Sequence, residues 1–311
     1  MVAHHSTSAD SRAGAPVAQV HRRRFDPSGY LFLLPSLLAF CVFIAFPVAA
    51  SFALAFSKWD ILTPPQFIGF QNFVYMFTGD QIFWQVLRNT IYYSVVQVPL
   101  NIIMALGLAV ALNQKLRGAV IYRTLYFVPV VSSIIAVAIV WRWVYDGDWG
   151  ILNWLLSYVG IPKQNWLFDP ALAMPSVIAM NVWKNMGYNM VLFLAGLQAI
   201  PEVYYEAARV DGARSWHLFR HITLPLLSPV MLFVLVISVI NSFQVFGAIY
   251  IMTRGGPLDA TNVLVYHLYF KAFQELQMGY AASLAWVLFS FIFAVTVLQT
   301  QLSKRWVHYG V

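Results

Sequence analysis

Polar side chains are few in the long uncharged stretches of this chain, and they are spaced to share helix faces. Lys184 is the one ionisable residue well inside such a stretch, and Asn181, Asn185, Tyr188 and Asn189 flank it. At 100° per residue these five fall within an arc of about 140°, while Trp183 points away. Amides, a phenol and an ammonium on one face offer hydrogen bonds to hydroxyl groups and a ring for stacking. The same residue types also join neighbouring helices in lipid. The face therefore predicts either a path for a hydroxyl-rich solute or a packing seam, with Lys184 meeting an anionic phosphate or a backbone carbonyl. Ser238, Asn241 and Ser242 form a second such face with Gln244 adjacent, and Gln97 and Asn101 make an i, i+4 pair. For these, too, pore lining and helix packing stay open.

Catalysis finds no footing. The chain has no Gly-x-x-x-x-Gly-Lys-Ser/Thr phosphate cradle, no Gly-x-Ser-x-Gly and no His-Glu-x-x-His. His217 and His221 are four apart, but no third ligand type stands near them, so no metal site is expected. Cys41 is the sole cysteine, which excludes a disulfide within the chain and a cysteine-based metal cluster.

The elements that carry these faces follow from where charge is missing. Of 311 residues 60% are hydrophobic and 10% charged, and mean hydropathy is +0.68. Soluble domains carry about 25% charge. Charge-free runs cover 27–57, 89–114, 124–141, 221–253 and 276–303, and 170–201 holds only Lys184. A crossing helix needs about 20 apolar residues, so six transmembrane helices are predicted, near 30–56, 89–112, 124–144, 173–197, 226–250 and 280–302. Trp59, Trp84, Trp141, Trp143 and Trp306 stand near their ends, as interfacial belts do.

Six crossings put both termini on one side. That side carries twelve of the 19 cations against five acids, a balance of +7; the other has six cations against seven acids, −1. The positive-inside rule then places the termini in the cytoplasm. The net charge of +7 is a topology signal rather than a nucleic-acid patch. Residues 1–25 read as a disordered cytoplasmic tail and 26–311 as a transmembrane domain. The outside loops, roughly 57–88, 145–172 and 251–279, each have room for a short amphipathic helix.

The inside loop 198–225 is the most informative segment. Pro201 suits a first helical turn and Glu202 to Ala208 favour a helix. Asp211-Gly212 is a turn pair. Ser215 is positioned to cap a second short helix that Pro225 would break. Physics alone leaves two readings, a protein-docking loop or an amphipathic helix lying on the inner membrane surface.

The spacing Glu206-Ala207-Ala208, then Asp211-Gly212, then Ile222-x-Leu224-Pro225 resembles, without a gap, the cytoplasmic loop motif of bacterial ABC importer permeases. Phe67-Ile68-Gly69-Phe70-Gln71-Asn72-Phe73 and Thr253-Arg254-Gly255-Gly256-Pro257, with Thr261 beyond, are similar to segments of the carbohydrate-type permeases of maltose and glycerol-phosphate importers. The resemblance covers about residues 28–308. It implies an all-α, type I importer permease fold in the bacterial cytoplasmic (inner) membrane. It implies that Glu206 faces a separate ABC ATPase subunit dimer, that Gly212 makes the turn between coupling helices, and that Leu224-Pro225 starts the next span. It further implies a second, homologous permease, an extracytoplasmic solute-binding protein, and alternating-access import of a sugar, polyol, glycerol-3-phosphate or glycerophosphodiester. ATP and Mg would sit in the partner ATPase, with no cofactor bound by this chain. An ion-gradient secondary transporter is the rival reading. It would need intramembrane carboxylates, and the predicted spans contain no Asp or Glu.

Overall fold

The computed structural model of the chain describes residues 28–114 and 118–308. The tail 1–25 lies outside the described residues, as do Lys115 and Arg117 of the inside-charge count. The described residues divide into two compact units, one ending at Ala49 and the other beginning at Ala50. α1 (Ser28–Phe40), a π turn at Cys41–Ala45 and α2 (Phe46–Ala55) follow one another without a gap. Within them Phe32–Ala55 is long and apolar enough to cross a membrane.

The second unit continues with α3 (Gln71–Thr78), α4 (Phe83–Asn113), α5 (Ala119–Val131), α6 (Ile134–Val144), α7 (Ile151–Ser157) and α8 (Pro170–Gln198). It ends with α9 (Glu202–Val210), α10 (Ser215–Leu218), α11 (Leu224–Phe243), α12 (Gly247–Met252), α13 (Leu264–Phe273) and α14 (Met278–Ser303). The expectation of an all-helical chain needs one amendment among the described residues: Ser57–Lys58 pairs antiparallel with Gln66–Phe67. Each of the loops expected outside contains a short helix, α3, α7 and α13 respectively.

The predicted spans meet the structure unevenly. Phe83–Asn113, Ser215–Met252 and Met278–Ser303 also qualify as crossing helices. α8, with 29 residues, is roughly 43 Å long, ample for a hydrocarbon core of about 30 Å. Its polar face leaves it short of the apolarity that the other helices reach. The expected third span, 124–144, is broken: α5 and α6 meet at an angle of 100°. With 13 and 11 residues they reach roughly 20 and 17 Å. Pro129 lies in the last turns of α5, Ser132 Oγ bonds back to Val128 O at 2.9 Å, and Ser132 and Ser133 are both extended. Proline and a serine back-bond weaken a helix, and here the helix ends.

α8 is the axis of the second unit, packed along α4 and against α5 and α11. Its first half enters one apolar cluster through Met174, Val177, Ile178 and Met180. Its last half enters another through Met190, Phe193, Leu194 and Leu197, with Ala105 and Ala109 of α4 and Leu227 of α11. The polar residues 181–189 fall at the seam between the two. Gly187 lets α5 approach, because a Cβ there would collide with the Tyr126 carbonyl.

A third cluster joins α3, α4, α13 and α14 around Phe83, Leu264, Tyr280 and Leu284. At its edge sits Asp80, 4% exposed, with one carboxylate oxygen accepting from Tyr280 OH at 2.6 Å and His267 Nε2 at 2.9 Å. Ile82 N donates to its other oxygen at 3.0 Å. Burial alone would push Asp80 up, but the bonds from Tyr280 and His267 hold its carboxyl below the usual value.

Two stability predictions follow from these contacts. Gly187→Val should overpack the α5–α8 contact and cost about 1–3 kcal/mol, seen as a lower melting temperature of the purified protein in detergent. Asp80→Asn removes one member of a buried pair, a loss of about 3–5 kcal/mol. Because the folded value of Asp80 lies below its unfolded one, its contribution is complete above about pH 4. That contribution disappears as pH falls through the folded value. A melting-temperature profile that declines there more steeply in the wild type than in Asp80→Asn is the expected result.

Candidate functional site: a polar cavity and an exposed loop

At the seam along α8 lies a cavity of about 430 Å³. α4 lines it with Tyr93, Gln97 and Asn101; α8 with Asn181, Lys184, Asn185, Tyr188 and Asn189; and α11 with Ser238, Asn241 and Ser242. Val130, Ile134 and Phe246 complete the wall from the α5–α6 break and from the linker after α11. Six of the seven residues expected on a solute path therefore meet in one place. Gln244 does not line it: α11 ends at Phe243, and Gln244 is exposed beyond the last helical turn.

The polar groups divide by what they bind. Asn189 Nδ2 donates to Asn101 Oδ1 at 2.7 Å and to Ser238 Oγ at 3.1 Å, while Asn101 Nδ2 reaches Val182 O at 3.3 Å. These three buried side chains tie α4, α8 and α11 together, as the packing alternative expects. Asn181 and Asn185 instead donate within α8, to Val177 O and Asn181 O at 3.2 and 2.9 Å. Their side-chain oxygens remain acceptors for a solute. Gln97 Oε1 is buried with no partner among the described residues.

Lys184 Nζ donates to Pro129 O and Val130 O, each at 3.2 Å. Those carbonyls belong to the open C-terminal turn of α5, which has no helical partners beyond the break. A cation at a helix C-terminus is also favoured by the macrodipole. Of its two expected partners, the structure thus gives Lys184 the backbone carbonyls. Tyr93 was missed by reasoning from pairs, although Tyr93, Gln97 and Asn101 form an i, i+4, i+8 stripe. Phe246 stands outside any helix, where periodicity carries no signal.

At the far end of α8 the loop 198–225 forms α9, a turn and α10. No residue of α9 is buried, and Glu206 and Ala207 are exposed while Ala208 is half-buried. Asp211 and Gly212 make the expected turn, with Gly212 at φ +81°. Three local expectations change. Pro201 is the N-cap of α9 rather than part of its first turn, and α10 starts after Arg214 with no side-chain cap, so Ser215 caps nothing. Pro225 breaks no helix. A π turn at Phe219–Thr223, containing Ile222, carries α10 into α11, and Pro225 falls in the first turn of α11, where its missing N–H costs little. Tyr205 OH lies 3.1 Å from Thr223 Oγ1 and ties α9 to this entry. His217 and His221 stack at 4.0 Å, and the described residues contain no group of three or more His, Cys, Asp or Glu placed to hold a metal.

The two outer motifs are structural clasps. Asn72 Nδ2 donates to Ala55 O and Ser57 O at 2.9 and 3.0 Å, holding the end of α2. Thr261 Oγ1 lies 2.6 Å from Gly256 O and 2.7 Å from Thr253 Oγ1, closing the turn that opens with Thr253. Asn89 of α4 donates to Asp259 O and Asn262 O at 2.8 and 3.0 Å, fixing that turn to the bundle.

Comparison with known proteins places this geometry. Residues 97–308 match the family described as binding-protein-dependent transport system inner membrane component. The probable ABC transporter permease protein YesP of Bacillus subtilis is 41% identical over 92% of this chain and 94% of its own length. The lactose transport system permease protein LacF of Rhizobium radiobacter is 37% identical over 89% and 94%. The sn-glycerol-3-phosphate transport system permease protein UgpA of Agrobacterium fabrum is 32% identical over 90% and 96%. Among solved structures, a chain of a bacterial alginate ABC transporter, crystallised with an alginate pentasaccharide-bound periplasmic protein, superposes with a TM-score of 0.80. It has 25% identity and coverage of 91% of this chain and 96% of that one. The chain therefore belongs to the binding-protein-dependent transport system inner membrane components, as a multi-pass ABC transporter permease.

Proposed function

We propose that this permease forms one half of the path of an ATP-driven importer for carbohydrate-type solutes. The observation that carries the reading is the cavity, about 430 Å³ in volume and walled by amide, hydroxyl and aromatic side chains. Such groups hydrogen-bond hydroxyls and stack on sugar rings. Relatives named for lactose and sn-glycerol-3-phosphate transport support the solute class. Among the described residues no Asp or Glu lines the cavity, so the carboxylate that an ion-gradient mechanism would use is not found in its wall.

In this reading the chain spans the bacterial cytoplasmic membrane six times, α5 and α6 together making the third crossing, with both termini in the cytoplasm. Residues 26–311 make one permease domain. A separate ATPase dimer holds ATP and Mg and docks on the loop 198–225 through Glu206, Ala207 and Ala208. Closure of that dimer moves the loop, and the helices around the cavity switch from inward- to outward-facing. A second, homologous permease supplies the other half of the path, and an extracytoplasmic solute-binding protein delivers the solute.

Purification of the tagged chain from native membranes in mild detergent tests this assembly. An ATPase and a second permease should remain bound, and recovery of the chain alone would overturn the reading. Gly212 has open space around it, so Gly212→Val strains only the turn, by about 1–2 kcal/mol. It should abolish uptake while leaving membrane insertion intact, as should Glu206→Lys. Undiminished transport by both would remove the loop from the mechanism.

A further inference from the structure

We infer that the cavity selects acidic saccharides, the acid group of the solute meeting Lys184; this rests on the carbohydrate reading above. Lys184 is only 8% exposed and lines the cavity. Among the described residues it has no carboxylate partner, and none of the residues lining the cavity is acidic. An ammonium carries three donors, of which Pro129 O and Val130 O take two. The C-terminus of α5 offers the equivalent of roughly half a negative charge. One donor and an incompletely balanced charge are left at the cavity wall.

Buried charge is costly unless paired and hydrogen-bonded. A neutral sugar can accept the third N–H but leaves the charge unbalanced. A carboxylate or phosphate satisfies both. No acidic side chain in the wall opposes such a group. The same wall carries acceptors suited to hydroxyl donors, the orphaned Gln97 Oε1 and the side-chain oxygens of Asn181 and Asn185. One end of the solute therefore bears an acid and the remainder bears hydroxyls.

The experiment is saturation-transfer NMR on the detergent-purified complex of this chain with its companion subunits, without the binding protein. The probes are digalacturonate, galactose 6-phosphate and the neutral disaccharide galactobiose, so that carboxylate and phosphate are separated. At least one acidic probe should bind about tenfold more tightly than galactobiose, a difference that one charged contact supplies. Lys184→Gln keeps an N–H donor for the α5 carbonyls but no charge. It should weaken the acidic probe about tenfold more than galactobiose, and Lys184→Arg should restore the preference. If Lys184→Gln does not assemble, the wild-type preference for an acidic probe over galactobiose is the deciding measurement.

Acid preference that survives Lys184→Gln overturns the inference. Equal binding of all three probes to the wild type overturns it too, while leaving the carbohydrate reading in place. Binding of no probe at all removes both.

Discussion

The contact between the Lys184 ammonium and the open carbonyls of Pro129 and Val130 is the one on which the interior of this protein depends. Lipid offers no hydrogen bonds, so a helix that stops at membrane depth must have its terminal groups satisfied by protein. α5 stops at Ser132, and α8 brings Lys184 to it. The close approach at Gly187 seats the two helices together one turn away. Without that pairing, the broken helix would be unsatisfied and the ammonium would lose the partners of two of its three donors. With it, the chain turns through 100° and opens a polar space beside α8.

That space is placed by the apolar residues around it. Met174 to Met180 are locked into one cluster and Met190 to Leu197 into another, so only the middle of α8 is free to be polar. Part of that polarity is structural. Asn189, Asn101 and Ser238 bind one another and fix the spacing of α4, α8 and α11. The rest faces the cavity. The division explains how a helix with so many amides stays in one register: some of its polar groups are spent on position, and the others are thereby held still.

The helices were legible in the sequence because charge-free runs report burial in lipid directly. The polar face of α8 was legible because helical periodicity is rigid over nine residues. The break after α5 was not, since hydropathy stays high from 124 to 141 and one proline with two serines is a weak signal. Pro225 misled for a related reason: proline stops a helix only when its N–H is needed, and a π turn beforehand removes that need. The partners of Lys184 lie 54 and 55 residues away, and His267 and Tyr280 lie 187 and 200 residues from Asp80. Pairings of that range follow from how helices pack, which local pattern does not encode.

The π turn at Phe219–Thr223 has a mechanical consequence. Because it joins rather than separates, Ser215 to Phe243 form one continuous helix, with Trp216 exposed near one end and Asn241 in the cavity wall near the other. Twenty-five residues of helix make a lever of roughly 38 Å. A tilt of about 5° at the Trp216 end displaces Asn241 by ~3 Å, the length of one hydrogen bond. Small rotations of the loop would thus be felt at the cavity wall through one continuous helix.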